Sequence, residues 1–284
     1  MHAKNWALGA TLLAGCMASG PATADIVQLR NVTASWYDAS PTGRATYYNN
    51  DIANSTHPYL RWGTGGGAQS GYDFTVASQP IAFTVTPPGT SPTQSIGTFQ
   101  HVNYPINAGS SIESVRLHIQ ADVWAGADGS SLALLPNGSD RDFYYQFNHW
   151  ETDNTPDRHW VSWPYWHYEY EACADGGEYG EGVNANGCAD QVTAIWQPSS
   201  ETFTVGEKEY TLNITGFFYN GNALNAFWTK ENADNSAQLL ANVTLRENLV
   251  PPGELPEPPT LALLGLGLAG VGYASRRSRH RNSR

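Results

Sequence analysis

Apolar and polar residues alternate with a period of two along several stretches of the chain. In "SVRLHIQADV" (residues 114–123) one side of the stretch is apolar throughout, formed by Val115, Leu117, Ile119, Ala121 and Val123. Residues 209–217 and 237–245 repeat this period. A period of two with one polar face is typical of antiparallel strands that cover a core on one side only.

Further strands are predicted at residues 26–36, 81–85, 96–102, 143–147 and 191–196. Segments rich in Gly, Pro, Asn and Asp separate them, as in "SPTGRATYYNND" and "TPPGTSPTQS", and such segments favour turns. The body of the chain shows no long helical period. The sequence therefore predicts an all-β fold, a single antiparallel β-sandwich of the jelly-roll kind over residues 25–249.

The first 24 residues are typical of a secretory signal peptide. Lys4 precedes an apolar stretch at residues 6–14, and Ala22-Thr23-Ala24 forms a small-residue cleavage site before Asp25, which is the order that signal peptidase recognises. Leu13-Ala14-Gly15-Cys16 offers an alternative, because it resembles a bacterial lipobox that would make Cys16 the acylated first residue. Either interpretation predicts export across the inner membrane.

The other end of the chain has three parts. A Pro-rich linker (residues 250–259) contains Pro256, Glu257 and Pro258, an apolar segment follows at residues 260–275, and an Arg-rich tail closes the chain at residues 276–284. The apolar core of this segment, residues 261–274, would span only ~21 Å as a helix, against ~30 Å for a bilayer interior. The arginines would keep the tail on the cytoplasmic side.

This tripartite end resembles the PEP-CTERM sorting signal of Gram-negative bacteria. The resemblance implies transient insertion in the inner membrane, recognition by an exosortase, cleavage near Pro-Glu-Pro, and delivery to the envelope or extracellular matrix. A segment that is later removed can be short. The alternative is a permanent tail anchor, which would make this a membrane-held periplasmic or surface protein.

The charge distribution excludes nucleic acid as a partner. Six of the 15 Lys and Arg residues lie in the two terminal segments, whereas all 26 Asp and Glu residues lie between Asp25 and Glu257. The exported part therefore keeps nine basic residues and a net charge of −17. Such a surface repels nucleic acid and anionic lipid.

Cys173 and Cys188 are the two cysteines that remain after signal removal, and they bracket the polar, glycine-rich "ADGGEYGEGVNANG". An oxidising compartment would join them in a disulfide that stabilises the fold by ~3 kcal/mol. The alternative, a pair of metal thiolates, lacks further ligands at zinc-site spacing.

Two polar stretches are candidates for binding chemistry. His101 and Asn103 share one face of a predicted strand and could bind a cation or a sugar, or could instead cap neighbouring loops. In "FNHWETDNTPDRHW", His149, Glu151 and the following Asp153 and Asn154 suggest a Ca²⁺ loop, but the spacing of an EF-hand is absent. A zinc site from His149, His159 and His167 would depend on an unknown chain path. We expect a hydrogen-bonded loop, with no metal and no cofactor.

A third stretch, "HWVSWPYWHYEYE" (residues 159–171), is rich in aromatic residues. Trp160, Trp163 and Trp166, with Tyr165, Tyr168 and Tyr170 between and after them, could form a stacking platform for sugar rings if they are exposed. The alternative is that they are buried in a core or loop.

Motifs of catalysis are missing from the sequence. It contains neither a G-x-S-x-G elbow nor H-E-x-x-H, and "RWGTGGGAQSGYDF" lacks the Lys and helix of a phosphate loop. We therefore expect no catalytic residues and no enzyme activity. The alternative is a glycan-processing hydrolase, whose carboxylate pair a sequence alone does not reveal.

The body also resembles a family. The stretches "NVTASW", "RWGTGGGAQSGYDF", "GTFQHVNYPI", "FNHWETDNTP", "CADQVT" and "FWTKENADNSAQLLANV" occur in this order and are similar to the THxN family of PEP-CTERM proteins, which is itself similar to domains called choice-of-anchor K. The resemblance marks His101, Asn103, His149 and Glu151 as signature residues. Gln100 stands where the naming motif has Thr. The family implies a single-domain surface or matrix module without an assigned activity.

Together these observations predict an exported, exosortase-sorted protein of the envelope or extracellular matrix. Its expected role is structural or adhesive, with contact to carbohydrate. Signal peptidase and exosortase are the expected partners during export, and an exopolysaccharide is the expected partner afterwards.

Overall fold

The computed structural model describes residues 23–65, 67–127, 132–134, 140–162, 167–196, 202–205 and 207–247. The predicted signal peptide up to residue 22, and the predicted linker, apolar segment and basic tail from residue 248 onward, lie outside these residues. Within them the only helical element is a single 3-10 turn, Gly182–Asn184. No helix in this part of the chain is both long enough and apolar enough to cross a bilayer.

The described residues form 18 strands. In chain order they are β1 (Asp25–Ser40), β2 (Ala45–Tyr48), β3 (Tyr59–Trp62), β4 (Ser70–Val76), β5 (Ile81–Val85), β6 (Gly89–Thr90), β7 (Gln94–Asn103), β8 (Ser114–Ala127), β9 (Ala133–Leu134), β10 (Asp140–Trp150), β11 (Arg158–Val161), β12 (His167–Tyr170), β13 (Asp190–Trp196), β14 (Thr202–Val205), β15 (Lys208–Tyr219), β16 (Asn222–Leu224), β17 (Ala226–Thr229) and β18 (Ala233–Glu247).

Sixteen of these strands build two antiparallel sheets. The first sheet has the order β17-β13-β10-β8-β1-β5, with β9 beside β8. The second sheet has the order β14-β15-β18-β7-β4-β3-β2, with β16 beside β15 and β6 beside β18. The remaining two, β11 and β12, form a separate antiparallel hairpin. The predicted all-β sandwich is thus confirmed.

The core lies between the two sheets because each strand turns its apolar side inward. On β8 the five residues of the predicted apolar face are all buried, and β18 buries Ala237, Leu239, Ala241, Val243 and Leu245 in the same alternation. Aromatic rings join the sheets: Phe99 of β7 stacks on Phe147 of β10 with ring centroids 5.0 Å apart. Trp36 of β1 lies 5.5 Å from the Phe147 ring and donates its indole N–H to the carbonyl of Pro58.

The first residue of β1 connects the sheets a second time. Asp25 is fully buried, and Nζ of Lys208 lies 2.9 Å from each of its carboxylate oxygens. The Tyr210 hydroxyl donates a hydrogen bond to the same carboxylate. The residue that follows the predicted signal-peptide cleavage site is therefore part of the folded core.

Close packing explains a glycine on β7. Gly97 lies against the ring of Phe74 on the neighbouring strand β4, and a Cβ atom at this position would overlap that ring. Phe74 is completely buried. The register between β7 and β18 shifts immediately beside Gly97, so this position is a point of close approach at an irregularity in the sheet.

The sequence pattern missed the strands β2, β3 and β4. They are four, four and seven residues long and lie in a glycine-rich part of the chain, where too few residues alternate to show a period of two. They nevertheless carry Trp62, Tyr72 and Phe74, all with no exposed surface. The glycine-rich stretch "RWGTGGGAQSGYDF" thus belongs to β3, β4 and the connection between them in the second sheet.

Candidate functional site

A cluster of polar side chains is buried between the two sheets, at one end of the sandwich. His101 and Asn103 lie at the end of β7, His149 near the end of β10, and Asp190 at the start of β13; Glu231 follows β17. Their exposed fractions are 0% for four of them and 6% for His149. Polar side chains with so little contact to water need partners inside the protein or a ligand. We call these five residues, together with Glu151, the buried polar cluster.

Strand alternation places these residues inside. On β7, His101 and Asn103 continue the inward series of Gly97 and Phe99 at the spacing of two. On β10, His149 follows Phe147 at the spacing of two. In both strands the inward series changes from aromatic to polar at the same end of the sandwich, because β7 and β10 bring their C-terminal ends together there.

The hydrogen bonds of His101 fix its tautomer. The Thr229 hydroxyl donates to the carbonyl oxygen of Asp190 at 3.0 Å, so it accepts at its own oxygen the proton on Nδ1 of His101, 2.9 Å away. Burial, and then the neighbouring His149, hold the pKa of His101 well below its usual value. The ring is therefore neutral, and Nε2 carries a lone pair that finds no hydrogen-bond partner among the described residues.

Three carboxylates share the cluster. Oδ1 of Asp190 accepts the backbone N–H of Thr152 at 2.8 Å, whereas Oδ2 is buried without a partner in the described part of the chain. Burial raises the pKa of Asp190, with His149 opposing this and Glu151 adding to it. Burial also raises the pKa of Glu231, and the carboxylates of Asp190 and Glu151 raise it further.

The second histidine connects the cluster to the aromatic core. Nδ1 of His149 lies 2.8 Å from the Tyr72 hydroxyl, and Nε2 lies 3.2 Å from Oε2 of Glu151. The Trp62 ring stacks on His101 with centroids 5.8 Å apart and meets the His149 ring edge-on at 5.2 Å. Aromatic walls thus hold both imidazoles in fixed orientations.

The donor atoms of the cluster are close enough together to share one ligand. One ligand atom each of His101, His149 and Asp190 lie within 4.8 Å of one another, and the same holds for Glu151, Asp190 and Glu231. A cavity of about 470 Å³ reaches the cluster from outside, lined in part by Arg44, His149 and Glu151. The side chain of Glu151 keeps 18% of its surface exposed and so stands at the entrance.

An aromatic row lies on the outside of the molecule, on the hairpin of β11 and β12. Trp160 and Tyr168 are directly paired across the hairpin, 4.1 Å apart between ring centroids. Arg158 is paired with Tyr170 on the same side, and its guanidinium lies 4.9 Å from the Tyr168 ring. Tyr179, beyond the hairpin, extends the row with a centroid 4.6 Å from that of Tyr170.

Exposure separates this row from the core. Trp160 is 56% exposed, Tyr168 49% and Tyr170 44%. The predicted platform also included Trp163 and Trp166, which lie outside the described residues. Tyr165 lies outside them as well. The use of the aromatic row as a glycan platform stays a prediction.

The predicted disulfide is confirmed. Cys173 and Cys188 are joined, with Cα atoms 5.4 Å apart. The Thr152 hydroxyl donates to the carbonyl oxygen of Cys188 at 3.2 Å, and the Cys188 N–H donates to Asn154 at 3.1 Å. The bridged loop is thus attached to the segment that carries Glu151, beside the buried polar cluster.

The structure brings together His101, Asn103, His149 and Glu151, the four residues that the family resemblance marks, from two separate stretches. Sequence reasoning missed Asp190 and Glu231 as members of the same cluster, together with Trp62, Tyr72 and Thr229 beside it. Their only signal was that each lies in a stretch quoted for the family resemblance.

The other residues of the proposed calcium and zinc sites lie elsewhere. Asp153 points to solvent, and the amide of Asn154, oriented to donate, lies 3.1 Å from both oxygens of Glu231. His159 and His167 are on the hairpin, on the side opposite the aromatic row, and neither belongs to a group of potential metal ligands in the described part of the chain.

Comparison with known families identifies the C-terminal sorting signal. Residues 254–278 match the family model of the PEP-CTERM protein-sorting motif. The chain therefore carries a PEP-CTERM signal, which implies processing by an exosortase and export to the envelope or extracellular side of a Gram-negative bacterium. No curated protein sequence matches the chain. The resemblance of the body to THxN and choice-of-anchor K domains stays a prediction.

Proposed function

We propose that this protein is an adhesive module of the envelope or extracellular matrix that binds polysaccharide without cleaving it. The sorting motif at residues 254–278 supports the location. The exposed aromatic row on the hairpin of β11 and β12 is the observation that carries the binding function, because it is the kind of surface that sugar rings stack on.

The row has the chemistry of a sugar platform. Trp160, Tyr168 and Tyr170 present their rings on one side of a two-stranded hairpin, and same-side residues in a strand are about 6.6 Å apart. The hydroxyl groups of the tyrosines and the guanidinium of Arg158 add hydrogen-bonding groups at the rim of the rings. Soluble proteins keep such large apolar groups apart on their surfaces unless a partner covers them.

The charge of the exported part agrees with a neutral or weakly charged glycan. A net charge of −17 repels polyanions in general, so a strongly acidic polysaccharide is disfavoured. Arg158 is held over Tyr168 and Tyr170, at 4.9 and 5.9 Å from their ring centroids. A single fixed guanidinium among aromatic rings can donate hydrogen bonds to the hydroxyl oxygens of a sugar.

Binding of the exported protein to exopolysaccharide from the producing cells tests this function. The full chain would be expressed, the exported protein purified, and its co-sedimentation with the polysaccharide measured. We expect Trp160→Ala and Tyr168→Ala each to weaken binding about two- to tenfold, since stacking contacts are worth about 0.5–1.5 kcal/mol each beyond their area. Circular dichroism and thermal unfolding would show that both variants stay folded.

Trp150→Ala is the matched control. Trp150 is 52% exposed, similar to Trp160, but lies on β10 and packs against Trp228. Unchanged binding in Trp160→Ala and Tyr168→Ala, with the fold intact, would reject the aromatic row as the binding surface. Release of reducing ends by the unmodified protein would show that it is a hydrolase and would contradict the non-catalytic proposal.

A further inference from the structure

The buried polar cluster has features that binding of sugars at the surface does not explain. Nε2 of His101, Oδ1 of Asn103 and Oδ2 of Asp190 are all buried, and none has a hydrogen-bond partner within the described ranges. Each of these residues has no exposed surface. Buried polar atoms without a partner are unfavourable, so three of them in one cluster are typical of a site that binds a ligand.

The free atoms are all electron-pair donors. The proton of His101 is on Nδ1, where it is donated to Thr229, so Nε2 offers a lone pair to the cluster. Metal-bound histidines commonly donate their other ring N–H to a neighbouring oxygen in this way, which fixes the tautomer and the ring orientation. His149 has a corresponding oxygen partner at Nδ1, the Tyr72 hydroxyl at 2.8 Å.

The charges of the cluster also call for a cation. Asp190 and Glu231 have no exposed surface, and each has a carboxylate oxygen within 4.8 Å of one of Glu151 at the entrance. A cation bound between three such carboxylates removes the need for them to take up protons.

We infer that the buried polar cluster binds one divalent transition-metal ion, with His101, His149 and Asp190 as its primary ligands. Glu151 and Glu231 complete the coordination shell, since the two groups of three share Asp190. This inference does not depend on glycan binding by the hairpin.

The ligand set selects the kind of metal. Ca²⁺ and Mg²⁺ prefer shells of oxygen atoms, whereas imidazole suits Zn²⁺, Fe²⁺ and other ions of the first transition row, and carboxylates also accept Mn²⁺. Ligand atoms that already lie within 4.8 Å of one another need only small side-chain movements to reach metal–ligand distances of about 2.1 Å.

The position of the site predicts what the metal does. His101 belongs to β7 of the second sheet, while His149 and Asp190 belong to β10 and β13 of the first sheet. An ion held by all three crosslinks the two sheets, and through Glu231 it also ties down the turn between β17 and β18. The metal therefore stabilises the folded protein, in addition to the Cys173–Cys188 bridge nearby.

Metal content and thermal unfolding test this inference. The exported protein, purified from cells that express the full chain, would be analysed for bound metals, stripped with a chelator, and titrated separately with Zn²⁺, Mn²⁺, Co²⁺, Ca²⁺ and Mg²⁺. We expect one equivalent of a transition metal per chain. At a hundredfold excess over Kd, it should raise Tm by about 5–11 °C, which is the linkage effect for a domain of this size.

Two variants locate the bound ion. His101→Gln removes a primary ligand and should abolish both the Tm shift and the visible absorption of bound Co²⁺. Glu151→Gln lies at the partly exposed entrance, preserves shape, and should weaken binding at least tenfold. It decides the question even if His101→Gln fails to fold. Asp153→Asn, exposed and two residues away, is the control that should bind like the unmodified protein.

Three results would overturn the inference. One is a purified protein that retains none of these metals and whose Tm does not change with any of them. Another is transition-metal binding that is unchanged in Glu151→Gln but lost in a His159→Gln/His167→Gln double variant, because this would place the ion on the exposed hairpin. A Tm shift with Ca²⁺ alone would likewise contradict the imidazole ligands.

Discussion

Removal of the Cys173–Cys188 disulfide should destabilise the protein by a predictable amount. The two cysteines are 15 residues apart in the sequence. In the loop-entropy model, a closed loop of this length reduces the entropy of the unfolded chain enough to contribute ~3 kcal/mol to the free energy of unfolding. This corresponds to roughly a hundredfold change in the unfolding equilibrium constant.

The contacts around the bridge indicate that the full ~3 kcal/mol should be lost on its removal. The Cys188 carbonyl accepts a hydrogen bond from Thr152, and the loop itself is held by Asn184, whose side chain bonds the Ala189 N–H at 2.8 Å. These contacts keep the loop folded when the bridge is absent, so the loss acts mainly on the unfolded state. We expect Tm to fall by about 6–12 °C, since each kcal/mol corresponds to about 2–4 °C for a domain of this size.

The measurement compares urea unfolding of the oxidised protein, the reduced protein, and a Cys173→Ala/Cys188→Ala variant. Alanine is chosen because both cysteines are buried, at 5% and 2% exposed, and serine would add an unsatisfied hydroxyl. The reduced protein and the variant should have equal stability, and reductant should leave the variant unchanged.

A loss below about 1 kcal/mol in both the reduced protein and the variant would refute the reasoning. It would show that the bridged loop opens independently of the sandwich, so that closing it gains nothing in the global unfolding equilibrium. A loss in the variant alone would point to packing of the two side chains rather than to the crosslink.

Three further predictions concern the core and the processing of the two ends. Asp25→Asn should lower the free energy of unfolding by about 1–3 kcal/mol in chemical denaturation, because it weakens charged hydrogen bonds in the core. Asp38→Asn is the control: Asp38 is in an ion pair with 62% of its side chain exposed, so its substitution should change the free energy of unfolding by less than about 0.5 kcal/mol. Gly97→Ala should cost about 1–3 kcal/mol by overpacking, and Thr98→Ala on the exposed side of the same strand is its control; equal losses would contradict this account. The intact mass of the protein from its host should run from Asp25 to near Pro256, less two hydrogens, and a retained Arg tail or an attached lipid would show a membrane-held protein instead.

The period-two pattern predicted the fold where strands are long. It placed the inward sides of β8 and β18 correctly and put His101 and Asn103 on one face of a strand, because side-chain direction in a strand depends only on local backbone geometry. It failed for the short strands β3 and β4, which carry Trp62 and Tyr72 beside the buried polar cluster. The spacing of potential ligands along the sequence predicted no metal and no cofactor, whereas the structure leads us to propose a metal ion in the buried polar cluster.

The difference has a physical origin. A sequence shows which residues are neighbours along one strand, but strand pairing and sheet packing determine which strand ends meet in space. His149 and Glu151 looked like the beginning of a calcium loop with Asp153, yet the turn that follows β10 leaves Asp153 in solvent and directs Glu151 toward Asp190 and Glu231. The partners of this site come from distant strands, and the sequence carries no local signal of their proximity.

The sequence by itself determined the C-terminal sorting signal, the all-β class, the disulfide pair and the inward sides of the long strands, because each depends on local composition or periodicity. Only the tertiary structure decided that the two sheets pack with one polar end, where lone-pair atoms without hydrogen-bond partners come together from both sheets. Only the tertiary structure also showed that Trp160 and Tyr168 face outward. Burial is a property of the packed molecule, so only packing could separate the aromatic residues of the core from those of the surface.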